Sequence, residues 1–270
     1  MSELSIDGKF KSKWLDMIDK QYRLNVFTNG EKWFLGYTDK GKRIHWDLAI
    51  IDELMELVNS LPWKHWKSIN KPIDKENLKV EVLDLMHFYM SLIINIIGDE
   101  IGLSYNNIER NIENIKKEIE DFHLYPTKDD LCYIVEPSLF PMDDETFCNN
   151  IYYYVKRCIF PVTYSFELTR NSLLDFFQLV KLVQEYTNFH FEEIHGLYIA
   201  KYSLNKLRQL RGYKDGTYLK MWKDPRDESI YVEDNVAMMY FYNLNKNNIN
   251  ETDFLNTLLS YYDPKSVVVL

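Results

Sequence analysis

Asn77-Leu-Lys-Val-Glu81-Val-Leu-Asp84-Leu-Met-His87-Phe-Tyr-Met-Ser91-Leu-Ile-Ile-Asn95-Ile-Ile97, wound as a helix, is apolar around nearly its whole circumference. A helix of that kind belongs in a protein interior. Its polar residues are nevertheless ordered: at about 100° per residue, Asn77, Glu81, Asp84, His87, Ser91 and Asn95 share an arc of roughly 120°. One polar stripe runs down a buried helix. Ionised carboxylates buried without partners are strongly disfavoured, so Glu81 and Asp84 require cations, donors or a wet cleft.

The preceding helix supplies no such relief. It carries Glu53 and Glu56, three residues apart and on one face, with Ile51, Leu54, Met55 and Val58 turned elsewhere. Two such pairs on consecutive helices would repel if the helices pack antiparallel with these faces together, and a hard divalent cation would resolve the conflict; the alternative for a lone Glu-x-x-Glu pair is a solvated helix face. Oxygen-only ligands suit magnesium, which keeps waters and bridges carboxylates to substrate phosphates. The pattern points to phosphate chemistry.

Around this pair of helices the chain reads as mainly α: Gly and Pro are scarce, and apolar residues recur at three- and four-residue intervals. Asp47 is the expected N-cap of a helix to about Leu61, and the striped helix runs from about Lys75 to Ile97. Further helices are expected over about Asn106 to Phe122, Ser172 to Thr187, Glu192 to Leu210 and Glu251 to Tyr262. Tyr125 to Tyr164, interrupted by Pro126, Pro137, Pro141 and Pro161, has the weakest periodicity and reads as part of an insertion.

At 270 residues the chain can build a proper core. Its charged N-terminus does not resemble a signal peptide, and the longest apolar stretch, Met90 to Ile97, falls short of the roughly 20 residues of a membrane span, so no membrane association is expected. Cys132, Cys148 and Cys158 are odd in number and unsuited to metal spacing, which favours reduced thiols and a cytoplasmic or other intracellular compartment. A formal charge of −9 argues against direct nucleic-acid binding.

The charge is uneven. Between Lys201 and Lys223 stand Lys206, Arg208, Arg211, Lys214 and Lys220 against the single acid Asp215, which suggests an anionic ligand; a solvated helix face is the alternative. Within this run, Gly212 and Gly216 would let backbone donors approach phosphates, although no Gly-Lys-Ser/Thr ending marks a P-loop. Pro62-Trp63-Lys64-His65-Trp66-Lys67 mixes flat rings with donors suited to a base and a phosphate, or else holds two core tryptophans beneath snorkelling lysines. His190 and His195 lie about 140° apart on a helix and cannot share a metal from one face.

Taken in order, the motifs resemble the dimeric all-α dUTPases of the trypanosomatid, Campylobacter and phage type, within the all-α NTP pyrophosphohydrolase superfamily. They are Gln21-Tyr-Arg-Leu-Asn25, Trp46, Glu53-Leu-Met-Glu56 and Ser60-Leu-Pro-Trp-Lys-His-Trp-Lys67. Asn77 to Phe88, Lys201-Tyr-Ser-Leu-Asn205-Lys-Leu-Arg208-Gln, Gly212 to Trp222 and Glu233-Asp-Asn235 complete the set. Tyr202 stands where the family usually has Asn, and Lys223 to Val232 lengthens the gap before the final triplet.

The resemblance implies a single all-α catalytic domain over residues 1–270. Its helical-bundle core would hold motifs at about 21–98 and 196–240, with an inserted mobile helical region at about 99–195. It implies that Glu53, Glu56, Glu81 and Asp84 bind Mg2+, with Glu53 or Glu56 orienting or deprotonating the attacking water. Gln21, Asn25, Trp63 and His87 would surround the deoxyuridine; Lys201, Asn205, Arg208, Tyr213, Lys214 and Lys220 would hold the phosphates. A homodimer hydrolysing dUTP, with dUDP as a second substrate, to dUMP is implied. The competing readings are a relative with another pyrimidine preference, such as dCTP, and a nucleotide-gated protein whose output is a protein partner.

Overall fold

The structure is a computed structural model that describes residues 6–67, 71–104, 107–131, 142–164, 169–247 and 249–262. Cys132, Pro137 and Pro141 lie outside them, whereas Cys148 and Cys158 are free, buried thiols. The all-α expectation is met: among the described residues, ten α-helices and two 3-10 turns accompany a single two-stranded hairpin. The chain divides into two compact units, Met1–Phe191 and Glu192–Leu270.

In the first unit, α1 (Ile6–Asn29), α2 (Trp46–Asn59), α4 (Ile108–Asp121) and α7 (Arg170–Thr187) all pack against α3 (Lys75–Ile101). A short α5 (Lys128–Leu131) and a longer α6 (Asp144–Tyr164) rest on α7. α3 starts at an N-cap, Asp74, whose carboxylate accepts from the Asn77 amide at 3.0 Å. It runs past Ile97, where the sequence suggests an end, to a left-handed Gly102. Gly98 allows this, because a Cβ there would sit 2.7 Å from the Leu103 side chain that folds back over it.

By length and composition α3 could cross a membrane, which corrects the reading that no segment is apolar enough. In this fold 72% of its most apolar window is buried inside the protein. Such residues contribute to the core at roughly 1.5–3 kcal/mol each for a fully buried large aliphatic side chain.

Three further expectations change. α2 begins at Trp46 with His45 in the cap position, so Asp47 is not the N-cap; it lies in the first turn, where its charge favours the helix dipole. The burial of the Trp46 ring pulls the helix start forward. α6 forms despite its weak pattern, because Phe147, Ile151, Val155 and Cys158 recur on one buried face and Phe147 stacks on Tyr186 of α7 at 3.8 Å. Neither tryptophan of the 62–67 loop is in the core: Trp63 is half-buried and Trp66 is 63% exposed.

In the second unit, α8 (Phe191–Leu210) leads through a 3-10 turn to strands β1 (Met221–Asp224) and β2 (Asp227–Glu233), then α9 (Asp234–Asn245) and α10 (Glu251–Tyr261). Gly212 and Gly216, at φ +87 and +69, bracket the 3-10 turn in a backbone region that side-chain-bearing residues avoid. β1 and β2 pair antiparallel, with Trp222 opposite Val232. The stretch that lengthens the gap before Glu233 is therefore most of a hairpin, whose turn is held by the buried Asp224 carboxylate accepting from the Arg226 amide and guanidinium.

Leu57 in α2 is fully buried and Leu48 is 58% exposed. Leu57→Ala is expected to cost about 2–5 kcal/mol of stability and Leu48→Ala less than about 0.5 kcal/mol, measured by urea denaturation. Equal effects would contradict this packing of α2.

Candidate active site

The striped helix meets its partners residue by residue. At its N-terminal end Asn77 Nδ2 donates to Ser60 Oγ at 2.8 Å, fixing α3 against the end of α2. One turn on, carboxylate oxygens of Glu53 from α2 and of Glu81 and Asp84 from α3 lie within 4.8 Å of one another. Glu81 is buried; Glu53 and Asp84 are half-buried. Glu56, one turn beyond Glu53, is exposed and does not join that trio. Three hard oxygen donors at this spacing form a donor set that suits a divalent cation.

Two turns further, α1 delivers Gln21 and Asn25, which share a face because they are four residues apart. Both are buried, as are His87 and Ser91 of α3. Gln21 Nε2 donates to Asn25 Oδ1 at 3.0 Å and to Ser91 Oγ at 2.9 Å, and Asn25 Nδ2 donates to Ser91 Oγ at 3.0 Å. His87 Nδ1 lies 2.6 Å from Gln21 Oε1. Three residues that the family resemblance would place around the nucleoside thus form one buried network. Trp63 is not part of it; its indole N–H donates to Asn59 Oδ1 at 3.1 Å at the end of α2. Ser91 stands in the stripe but receives no role from the sequence. The signal was available, since a hydroxyl on a buried stripe four residues after a histidine must bond something.

In the second unit, Lys201, Asn205 and Arg208 occupy successive turns of α8 on one side. Lys201 is fully buried, and its Nζ donates to Asn235 Oδ1 at 2.7 Å. Arg208 donates through Nε and a terminal nitrogen to the two carboxylate oxygens of Asp234, both at 2.8 Å, and to Asn205 Oδ1 at 3.1 Å. Tyr218 Oη adds a third donor to Asp234 at 2.7 Å. Tyr213 is exposed, with the Arg208 guanidinium 5.8 Å from its ring centre. Lys214 lies on the exposed 3-10 turn, and Lys220 Nζ is 3.8 Å from Glu233. The Glu233-Asp-Asn235 triplet, quoted as a motif without a role, thus contributes the acceptors of this cluster.

Burial alone would push the Asp234 carboxyl up, but the hydrogen bonds and charge of Arg208, with Tyr218 and Lys201, outweigh it and hold the group below its ordinary value. A depressed folded pKa stabilises the fold above the unfolded value of about 3.9 and loses that contribution as pH falls through the folded value. Wild type is therefore expected to exceed Asp234→Asn in stability by a margin that is constant near neutrality and shrinks below about pH 4, read by denaturant melts across pH. A margin that grows on acidification would contradict the ion pair.

Comparison with known proteins follows the same lines. No curated protein matches the chain. A family model described as dUTPase matches residues 13–213, which take in most of α1, the carboxylates of α2 and α3, the amide network and the basic face of α8. With three quarters of its length matched and a mostly helical architecture, the chain belongs to the all-α dUTPase family and is a dUTP diphosphatase.

Proposed function

We propose that this protein hydrolyses dUTP, and dUDP as a second substrate, to dUMP in a magnesium-dependent reaction that releases pyrophosphate from the triphosphate. The observation that carries the metal assignment is the convergence of Glu53, Glu81 and Asp84 from two helices within 4.8 Å. When bound, the divalent ion supplies charge neutralisation on the phosphate chain as the bridging bond breaks.

The chain's own residues divide the remaining work. Glu53, Glu81 and Asp84 hold the ion. Glu56, exposed one turn from Glu53, accepts a proton from the attacking water or fixes its direction. Gln21, Asn25 and His87, with Trp63, receive the deoxyuridine. Lys201, Asn205, Arg208, Tyr213, Lys214 and Lys220 are proposed to serve the phosphates; Lys201 and Arg208 sit preorganised by Asn235 and Asp234. A homodimer in an intracellular compartment completes the proposal.

Two measurements separate these roles. Glu81→Gln and Asp84→Asn are expected to lose at least about 100-fold in turnover together with the rise in melting temperature that magnesium causes by mass action. Glu56→Gln is expected to lose on the order of 100-fold in kcat while keeping the magnesium-induced rise. Loss of that rise in Glu56→Gln would make Glu56 a ligand; its persistence in Glu81→Gln would end the three-carboxylate assignment.

Product analysis with dUTP, dUDP, dCTP, dTTP and UTP, with and without magnesium, tests the substrate. Survival of dUTP alongside cleavage of dCTP would replace the uracil assignment.

A further inference from the structure

The residue at the centre of the α1–α3 amide network is Ser91, which is fully buried. A serine hydroxyl has one proton to give and two lone pairs to offer. Of the two acceptors within reach of the proton, the main-chain oxygen of His87, one turn back in α3, is the nearer at 2.8 Å, against 3.4 Å for Asn25 Oδ1, and takes it. The lone pairs receive Gln21 Nε2 at 2.9 Å and Asn25 Nδ2 at 3.0 Å. Gln21 gives its second Nε2 proton to Asn25 Oδ1, so its amino group is fully used inside the network. With Gln21 Oε1 facing it at 2.6 Å, His87 Nδ1 carries a proton.

Turning both amides over breaks this count. Ser91 would then face Gln21 Oε1, Asn25 Oδ1 and the His87 carbonyl with a single proton, and two of those three oxygens would meet a lone pair. In a buried site, an unmatched polar atom is penalised strongly enough to exclude that arrangement. The helix backbone fixes the direction of the hydroxyl, and the hydroxyl fixes the direction of both amides.

Amide direction is what separates the two pyrimidines. Uracil presents an N–H at position 3 beside an oxygen at position 4, whereas cytosine presents a lone pair beside an amino group. An amide of fixed sense matches one pattern and opposes the other; an amide able to turn over accepts both. Ser91 Oγ lies on the edge of the Asn25 amide, 3.0 Å from Nδ2 and 3.4 Å from Oδ1, and Oδ1 also accepts from Gln21 Nε2, so the group Asn25 keeps for a base is its second Nδ2 proton, which matches the oxygen of uracil at position 4 and opposes the amino group of cytosine.

We propose that Ser91 is the positioning residue that sets uracil selectivity, by directing its proton into the α3 backbone and so holding the Gln21 and Asn25 amides in the sense that accepts uracil and rejects cytosine. The proposal rests on the assignment of Gln21, Asn25 and His87 to the base.

The test measures kcat/KM for dUTP and dCTP, and calorimetric binding of dUMP and dCMP, on full-length Ser91→Ala, Ser91→Cys and Ser91→Thr. The dUTP-to-dCTP ratio is expected to fall about tenfold or more in the Ala and Cys variants, the scale of one buried hydrogen-bond mismatch, and to be retained by Thr, whose hydroxyl can make the same backbone bond. A merely structural role would lower both substrates in parallel and leave the ratio unchanged, which overturns the proposal. Asn25→Ala distinguishes the two levels of failure. If it weakens dUMP binding while the Ser91 variants keep their ratio, only the role of Ser91 falls; if it leaves dUMP binding unchanged, the base assignment falls and the proposal with it. Wild-type protein offers a check that needs no variant: one set of exchange-protected side-chain amide signals is expected for Gln21 and Asn25 by NMR, and two interconverting sets would overturn the lock.

Discussion

The first unit depends on satisfying a polar stripe inside an apolar helix. Apolar burial drives α3 into the core but carries no direction, since one face of Leu, Ile and Val is much like another. The stripe supplies direction. Asn77 takes Ser60 at the end of α2, Glu81 and Asp84 meet Glu53, His87 and Ser91 take the amides of α1, and Asn95 donates to the Phe34 carbonyl in the 3-10 turn at 2.5 Å. Rotating α3 by one residue, about 100°, would strand every one of these groups together. The same bonds that fix the helix also assemble the chemistry, so fold and site are one solution to one constraint.

This explains why so much of the site was legible. The stripe is a periodic feature, and periodicity survives in sequence; Glu81 and Asp84 stand out by it, Glu53 by its three-residue spacing from Glu56 on α2, and the bodies of α2, α3, α4, α7, α8 and α10 by apolar residues at three- and four-residue intervals. What was not legible depends on distant partners. α1 buries Trp14, Met17, Ile18 and Tyr22 alongside Gln21 and Asn25, and these inward polar residues blur the amphipathic pattern that would announce a helix. Separating Glu56 from Glu53 requires knowing where α3 lies, because both belong to the same helical face in sequence. The β1–β2 hairpin is too short for alternation to register, with Trp222 and Asp224 the inward positions of β1.

The two units treat buried charge in opposite ways. In the first, three carboxylates of one sign gather within 4.8 Å of one another, a donor set that could hold a cation. In the second, the fully buried Asp234 is answered within the chain by the fork of Arg208 and by Tyr218. A bidentate pair of this kind orients the guanidinium plane rigidly. Buried Lys201, held by Asn235, follows the same logic with a point charge.

The distribution of tryptophan has a spectroscopic consequence. Trp14, Trp33 and Trp46 lie in the core of the first unit, with Trp63 and Trp66 on its surface loop. The second unit has Trp222 alone, 1% exposed and edge-on to the Tyr262 ring at 5.5 Å. A chain in which the other five tryptophans are replaced by phenylalanine would therefore emit from a single indole shielded from water, with tyrosines close enough to pass excitation to it. The red shift of that emission on denaturation would report the melting of the second unit by itself, and set against the wild-type signal it would reveal whether the two units unfold as one or in turn.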